Sequence, residues 1–208
     1  VKIGIVDYGM GNIGSVRAAL EYLRADCFVS SDPDALRTAD AFILPGVGAF
    51  GVAMENLVRL GLPVFLDEQV RRRGKYLLGI CLGMQLLAED STEEGFHRGL
   101  GWIDGHVVAL EPSPSMPVPH VGWSAVRRRE DDPLMAGLDA NAHFYFDHSY
   151  HLVCDPAVVT STCEFERPVV ASVRRGTVFA TQFHPEKSQR SGLKLLRNFL
   201  NVAEKGAS

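Results

Sequence analysis

Cys81 stands between two glycines in Gly79-Ile80-Cys81-Leu82-Gly83, with the apolar stretch Tyr76-Leu77-Leu78 ahead of it. A Gly-x-Cys-x-Gly sequence between a strand and a helix is the cysteine form of a nucleophile elbow, a turn so tight that little but glycine fits beside the nucleophile. It lifts the thiol out of the sheet and sets it at a helix N-terminus, where unpaired N–H groups and the helix dipole favour thiolate. The N–H of Leu82 can then point at an oxyanion formed on an attacked carbonyl. The plain alternative is a buried core cysteine, since free cysteines are commonly inert. A nearby base decides between the two.

A base is offered far downstream, in Gln182-Phe183-His184-Pro185-Glu186-Lys187-Ser188. Residues 178–183 read as a strand that ends at His184. In an extended segment positions i and i+2 share a side, so His184 and Glu186 face one way, with Pro185 setting the backbone between them. A carboxylate holding one ring nitrogen leaves the other for a thiol, which is a nucleophile–base–orienter arrangement.

These residues need a rigid frame. Residues 2–7 read as a strand, followed by a helix over 12–24 with Ile13, Val16, Leu20 and Leu23 on one stripe. A second strand covers 27–30, and Asp32-Pro33 opens a short helix by N-cap and N1 logic. Residues 41–44 form a third strand, apolar throughout as a sheet covered on both faces requires, and it runs into Pro45-Gly46-Val47-Gly48. Helices are expected over 50–60 and 63–73, then the elbow strand and a helix over 82–89. The middle third changes character. Strand patterns at 102–110 and 121–127 and between 142 and 173 have no long helices between them, and Pro112, Pro114, Pro117 and Pro119 preclude helix before the second. These are antiparallel additions to a parallel sheet. A last helix after Ser188 carries Leu193, Leu196, Phe199 and Leu200 on one face. The expected fold is α/β and flavodoxin-like: a mostly parallel central sheet, helices on both faces, an antiparallel extension, and a site at the carboxyl ends of the strands.

The chain has 208 residues, which fits a single domain spanning 1–208. A net charge of −4 with only short basic runs disfavours nucleic-acid binding. The four cysteines, Cys27, Cys81, Cys154 and Cys163, show neither zinc-ligand spacing nor a disulfide framework, which suits a reducing, cytoplasmic setting. No apolar run is long enough to span a membrane, and the first residues enter a strand pattern directly, without a signal-peptide pattern. Asp147, His148 and His151 suggest a metal only weakly, because no further ligands stand in order, and none is expected. Gly9-Met10-Gly11-Asn12-Ile13-Gly14 matches a dinucleotide fingerprint, with Asp32 and Asp34 beyond it, yet Asp7 and Tyr8 intervene between strand and first glycine. A tight strand–helix turn is the other reading.

The elbow with its Met84-Gln85 continuation, and Gln182 to Ser188, resemble the class I (triad) glutamine amidotransferases. Within that class the chain is similar to the glutaminase subunits of imidazole glycerol phosphate synthase. The matching stretches are Asp7 to Asn12, Leu44 to Phe50, the elbow, Pro119 to Trp123, His148-Ser149-Tyr150 and Gln182 to Ser188, so the likeness covers nearly the whole chain. The resemblance implies L-glutamine as substrate, no cofactor, and Cys81, His184 and Glu186 as the triad. It implies an oxyanion hole from the Leu82 amide and an amide of the Val47 and Gly48 stretch, and substrate binding by Gly48, Gln85, Glu94, His148, Ser149 and Tyr150. It places Asn12, Val121, Trp123 and Lys187 toward a separate partner, a (β/α)8 cyclase subunit that receives ammonia to make imidazole glycerol phosphate and an aminoimidazole carboxamide ribotide in histidine biosynthesis.

Val121, Ser124, and Asp147 and His151 in Phe146 to His151 depart from the commoner family residues. They bear on the partner and not on the triad. The runner-up is therefore a paralogue feeding an amidine-forming enzyme of surface-polysaccharide synthesis. From other classes, an α/β-hydrolase-type cysteine hydrolase orders its triad nucleophile, acid, histidine, whereas the well-placed acid here follows the histidine. A nucleotide-binding module using Gly9 to Gly14 is the last alternative.

Overall fold

The computed structural model describes residues 1–113, 116–129, 131–165 and 167–207, so Pro114 lies outside the described residues. Five strands form the parallel part of the main sheet: β1 (Lys2–Val6), β2 (Asp26–Ser30), β3 (Ala41–Leu44), β4 (Tyr76–Ile80) and β13 (Val178–Thr181). They lie in the order β2-β1-β3-β4-β13, and the sheet continues antiparallel through β12 (Arg167–Arg175), β11 (Val159–Phe165), β8 (His120–Arg128) and β9 (His143–His148). The expected extension is there. Beside it stands a second, four-stranded sheet that sequence patterns do not separate from the first: β10 (Tyr150–Cys154), β7 (Gly105–Ala109), β5 (Asp90–Ser91) and β6 (His97–Arg98).

Period-two alternation sends the strands' side chains to two cores. Ala41 and Ile43 of β3 join the buried faces of α1 (Ile13–Tyr22) and of the long C-terminal helix, Gln189–Ala207. Phe42 and Leu44 join α3 (Phe50–Arg59) and α4 (Leu62–Leu66) on the opposite face. The short α2 (Pro33–Leu36) begins at Asp32, whose carboxylate accepts the Asp34 N–H at 2.9 Å.

Two expected helices differ from their sequence outline. The one over 63–73 is α-helical only to Leu66, and Asp67–Arg72 is π-helical. The wider turn lets Arg72 reach Asp67 and Arg73 reach Glu68, both five residues apart, at 3.2 and 2.7 Å. The elbow helix, expected over 82–89, is the single turn α5 (Leu82–Gln85). It stops because the Leu86, Leu87 and Ala88 carbonyls accept N–H groups from residues 100–103 instead of from the next helical turn. The C-terminal helix, α6, runs over the expected residues, with Leu196 and Phe199 fully buried.

The Gly9–Gly14 turn is occupied by packing. Tyr8 Oη donates to the Pro45 carbonyl at 2.8 Å, and the Met10 side chain lies 2.7 Å from where a Cβ on Gly48 would stand. This turn covers the loop after β3, and Asp32 serves as a helix cap.

Candidate active site

Three strand ends meet at the site. Cys81 follows β4, Gly46 follows β3, and His184 follows β13. Cys81 has φ 53° and ψ −108°, a backbone that L-residues rarely adopt. The turn is held by the Cys81 N–H on the Thr181 carbonyl at 2.7 Å and by the Cys81 carbonyl, which accepts from Met84 and Gln85. A Cβ on Gly83 would run into the Leu44 carbonyl, so only glycine lets the elbow seat against β3. Because α5 has a single turn, it brings no long helix dipole to the sulfur, and the N–H groups of Leu82, Met84 and Gln85 already donate to carbonyls.

His184 is clamped from the other side. Its N–H donates to the Tyr145 carbonyl of β9 at 2.9 Å, and Ser188 Oγ ties its carbonyl to the Tyr145 N–H, at 2.6 and 2.9 Å. The His184–Glu186 pairing arises differently from the expected extended segment. Pro185–Lys187 is a 3-10 turn, and it swings Glu186 Oε1 to 2.7 Å from His184 Nδ1, with both side chains 1% exposed. Nε2 makes no hydrogen bond of good geometry. Burial works against a charged His184, but hydrogen bonding to Cys81 and Glu186, and the charge of both, outweigh it and push the imidazole up to about 10. The ring is a base with one nitrogen held and the other turned to a sulfur.

A cavity of about 460 Å3 opens onto Cys81, lined by Val47, Gly48, Leu82, Gln85, Glu93, Pro119, Asp147, His148, Ser149 and Tyr150. Gly48, Gln85, His148, Ser149 and Tyr150 are thus brought together as the sequence suggests. Glu94 is not. It is exposed, with a left-handed φ of 54°, while its neighbour Glu93 lines the cavity and accepts the Phe50 N–H at 2.7 Å. The structure thus sets Glu93, and not the expected Glu94, on the cavity: of two adjacent glutamates in an irregular loop, no periodicity tells which faces inward.

The Leu82 amide is engaged. It donates to the Gly46 carbonyl at 3.3 Å, so the Gly46–Val47 peptide presents its oxygen, not its N–H, to the elbow. Gly46 is hemmed in, and a Cβ there would strike Tyr8 Oη and stand 2.8 Å from the Leu82 Cβ.

His148 is shifted in the opposite direction from His184. Burial pushes its imidazole down to about 3. Its Nδ1 sits 2.8 Å from the Tyr150 carbonyl, which can only accept, so Nδ1 carries the proton. Nε2 must then accept from His120 Nδ1 at 3.0 Å, and His120 Nε2 from Ser124 Oγ at 2.8 Å. With both ring nitrogens of His148 engaged, a metal role for it is disfavoured. Sequence reading missed His120 as a partner of His148, though the β8–β9 register sets them directly opposite.

Val47 of the cavity lining is exposed, and so are Val121 and Trp123 of β8, which pair with Asp147 and Tyr145 of β9, Trp123 standing edge-on to the Tyr145 ring. Lys187 Nζ lies over the Tyr145 ring at 5.4 Å and 3.8 Å from Asp147. Asn12 begins α1 without using its side chain as a cap. No helix among the described residues is long and apolar enough to cross a membrane.

Comparison with known proteins agrees with this architecture. Residues 5–203 match the family Glutamine amidotransferase class-I. "Imidazole glycerol phosphate synthase subunit HisH 1" of Campylobacter jejuni is 45% identical over 200 residues, covering 96% of this chain and 100% of that protein. "Imidazole glycerol phosphate synthase subunit HisH" of a Geobacillus species is 45% identical over 207 residues, covering 97% of each. The fold matches a structure of PurLQS from Thermotoga maritima with a TM-score of 0.74 at 21% identity, over 97% of this chain and 98% of that one. The chain therefore belongs to the class I glutamine amidotransferases and, among them, to the HisH subunits of imidazole glycerol phosphate synthase.

Proposed function

We propose that residues 1–208 act as one glutaminase domain in which Cys81, His184 and Glu186 split the side-chain amide of L-glutamine. The observation that carries the assignment is the pairing of His184 Nδ1 with Glu186 at 2.7 Å, which leaves Nε2 bare beside a nucleophile on a strained turn. In this reading the thiol proton passes to His184 Nε2 and the sulfur attacks the carboxamide carbon. The proton then goes to the leaving nitrogen, and ammonia departs. Water, deprotonated by His184, cleaves the glutamyl thioester to glutamate. Gln85, Glu93, His148, Ser149 and Tyr150 hold the substrate's polar groups in the cavity they line.

The oxyanion of both tetrahedral intermediates needs two N–H groups, and one of them, on Leu82, is covered by the Gly46 carbonyl. Rotation of the Gly46–Val47 peptide would withdraw that carbonyl and turn the Val47 N–H inward, completing the hole with Leu82 beside Gly48. A partner bearing on exposed Val47 is well placed to favour that rotation. The partner in this reading is the cyclase subunit, docking on Asn12, Val121, Trp123 and Lys187 around the cavity mouth, so that ammonia passes across without meeting water.

Glutamate release from glutamine, by the chain alone and then with an equimolar cyclase subunit and its ribonucleotide ligand, tests this. Strong stimulation is the expected result. Hydrolysis indifferent to the cyclase keeps the triad and reassigns the partner. No hydrolysis in either case overturns the proposal.

A further inference from the structure

Gln182 is fully buried beside the nucleophile, and the proton path just described gives it no part. Its side-chain Nε2 lies 3.6 Å from Cys81 Sγ, and its Oε1 lies 3.1 Å from Gln85 Nε2. Which end of an amide faces a neighbour is commonly a matter of assignment. Here it is forced. The Tyr150 carbonyl, 2.9 Å from the Gln85 amide, is a backbone acceptor that cannot be turned around, so Gln85 presents N–H to it. The same Gln85 nitrogen touches Gln182, so Gln182 must answer with its oxygen. Its own N–H then has the Cys81 sulfur in front of it. The Tyr150 carbonyl also accepts from His148 Nδ1, and that bond fixes the tautomers of His148 and His120 out to Ser124. A backbone oxygen on the cavity wall thereby orients a donor on the nucleophile.

We propose that Gln182 is a catalytic residue of the glutaminase, a neutral N–H donor that holds the Cys81 thiolate once its proton has moved to His184. The assignment rests on the triad reading given above. Donation to an anionic acceptor is stronger than to a neutral one, so the contact strengthens as the thiol ionises. It weakens when the S–C bond forms and returns when the thioester is cleaved, so it serves both halves of the reaction without gaining or losing a proton. Gln182 is not among the residues that line the cavity, and a role through contact with glutamine is therefore not open to it.

The titratable groups around the sulfur are His184 from the β13 end and Tyr8 from the β1–α1 turn, with Glu93, Asp147 and His148 around the cavity. All are untouched by changes at Gln182. The test is the pH profile of Cys81 alkylation by iodoacetamide in the full-length chain, read by peptide mapping, with glutamine turnover measured in parallel. Gln182→Met removes the donor at similar volume. Gln182→Glu keeps an acceptor for Gln85 and sets a carboxylate beside the sulfur. In Gln182→Met the alkylation midpoint should move up by about one pH unit, as loss of a donor to a charged acceptor does, and in Gln182→Glu it should move further, because the carboxylate also repels the thiolate. In Gln182→Glu, kcat should fall about tenfold with KM changed less. Circular dichroism establishes which variants fold, and Gln182→Glu carries the test if Gln182→Met does not. An unchanged midpoint in a folded variant overturns the assignment. If wild-type Cys81 is also not the cysteine alkylated first, and the chain with its cyclase does not hydrolyse glutamine, the triad reading falls with it. If wild type does both and only the variants' midpoint stays put, the Gln182 assignment falls alone.

Discussion

His184 at the end of β13 and His148 at the end of β9 are both buried, and are close enough that a charge on one acts on the other. One is pushed up to about 10, the other down to about 3. Burial acts on both in the same sense, against the imidazolium. What separates them is the partner. His184 meets a carboxylate and a thiol, and His148 meets a backbone carbonyl and a second neutral histidine. The first environment makes a base that can hold a proton in a dry site. The second makes a rigid strut, donor on one edge and acceptor on the other. In the proposed mechanism, two regions of one sheet thus use the same side chain for proton transfer and for positioning.

The comparison can be broken most severely at its reactive half. Cys81→Ala and His184→Ala should each lower partner-stimulated glutamate release by about 10³-fold or more, because triad members act as a unit. Retained turnover in either would remove the substituted residue from the chemistry. Glu186→Gln takes away the carboxylate and leaves burial to act, so His184 should move toward the state of His148. Turnover should fall about 10- to 100-fold, less than in His184→Ala. The reverse order would give Glu186 a role other than orienting the ring.

The pH dependence of stability sharpens the contrast. His148 has a folded value below the ordinary 6.5, so its contribution is present above 6.5 and is lost as pH falls toward about 3. His184 has a folded value above 6.5, so its contribution is present below 6.5 and is lost as pH rises through about 10. The thermal midpoint should therefore fall at both ends. His148→Gln should flatten the acid limb and leave the alkaline one; loss of the alkaline limb instead would mean that the two sites are not separable. Glu93→Gln should raise KM by about tenfold through loss of a contact to bound substrate, while Glu94→Gln should leave it unchanged. Smallest of all, Ser124→Ala removes one hydrogen bond at the outer end of the His120–His148 chain and should cost at most about 1 kcal/mol in chemical denaturation.

The two regions also differ in how much of them the sequence discloses. The proposed triad is legible because its members sit in compact motifs: two glycines around Cys81, and a proline between His184 and Glu186. Strands β3, β4 and β13 are legible from unbroken apolar runs. The positioning half is not, because its contacts cross long spans of chain. Gln182 meets Gln85 across 97 positions and Cys81 across 101. The early end of the elbow helix depends on carbonyls captured by residues 100–103, and the π-helical turn on ion pairs that suit its wider spacing. The choice between Glu93 and Glu94 turns on a single left-handed residue in a loop.

The hydrogen bond between the Leu82 N–H and the Gly46 carbonyl has a consequence for waste. A net hydrogen bond is worth about 0.5–1.5 kcal/mol, so if it alone held the peptide, between about a third and a fifteenth of molecules would stand ready at any moment. In the reading proposed above such a latch leaks nitrogen, but it is also light. A partner need supply only a small difference in binding free energy to release it, and by reciprocity whatever fills the opened hole tightens the grip of the partner.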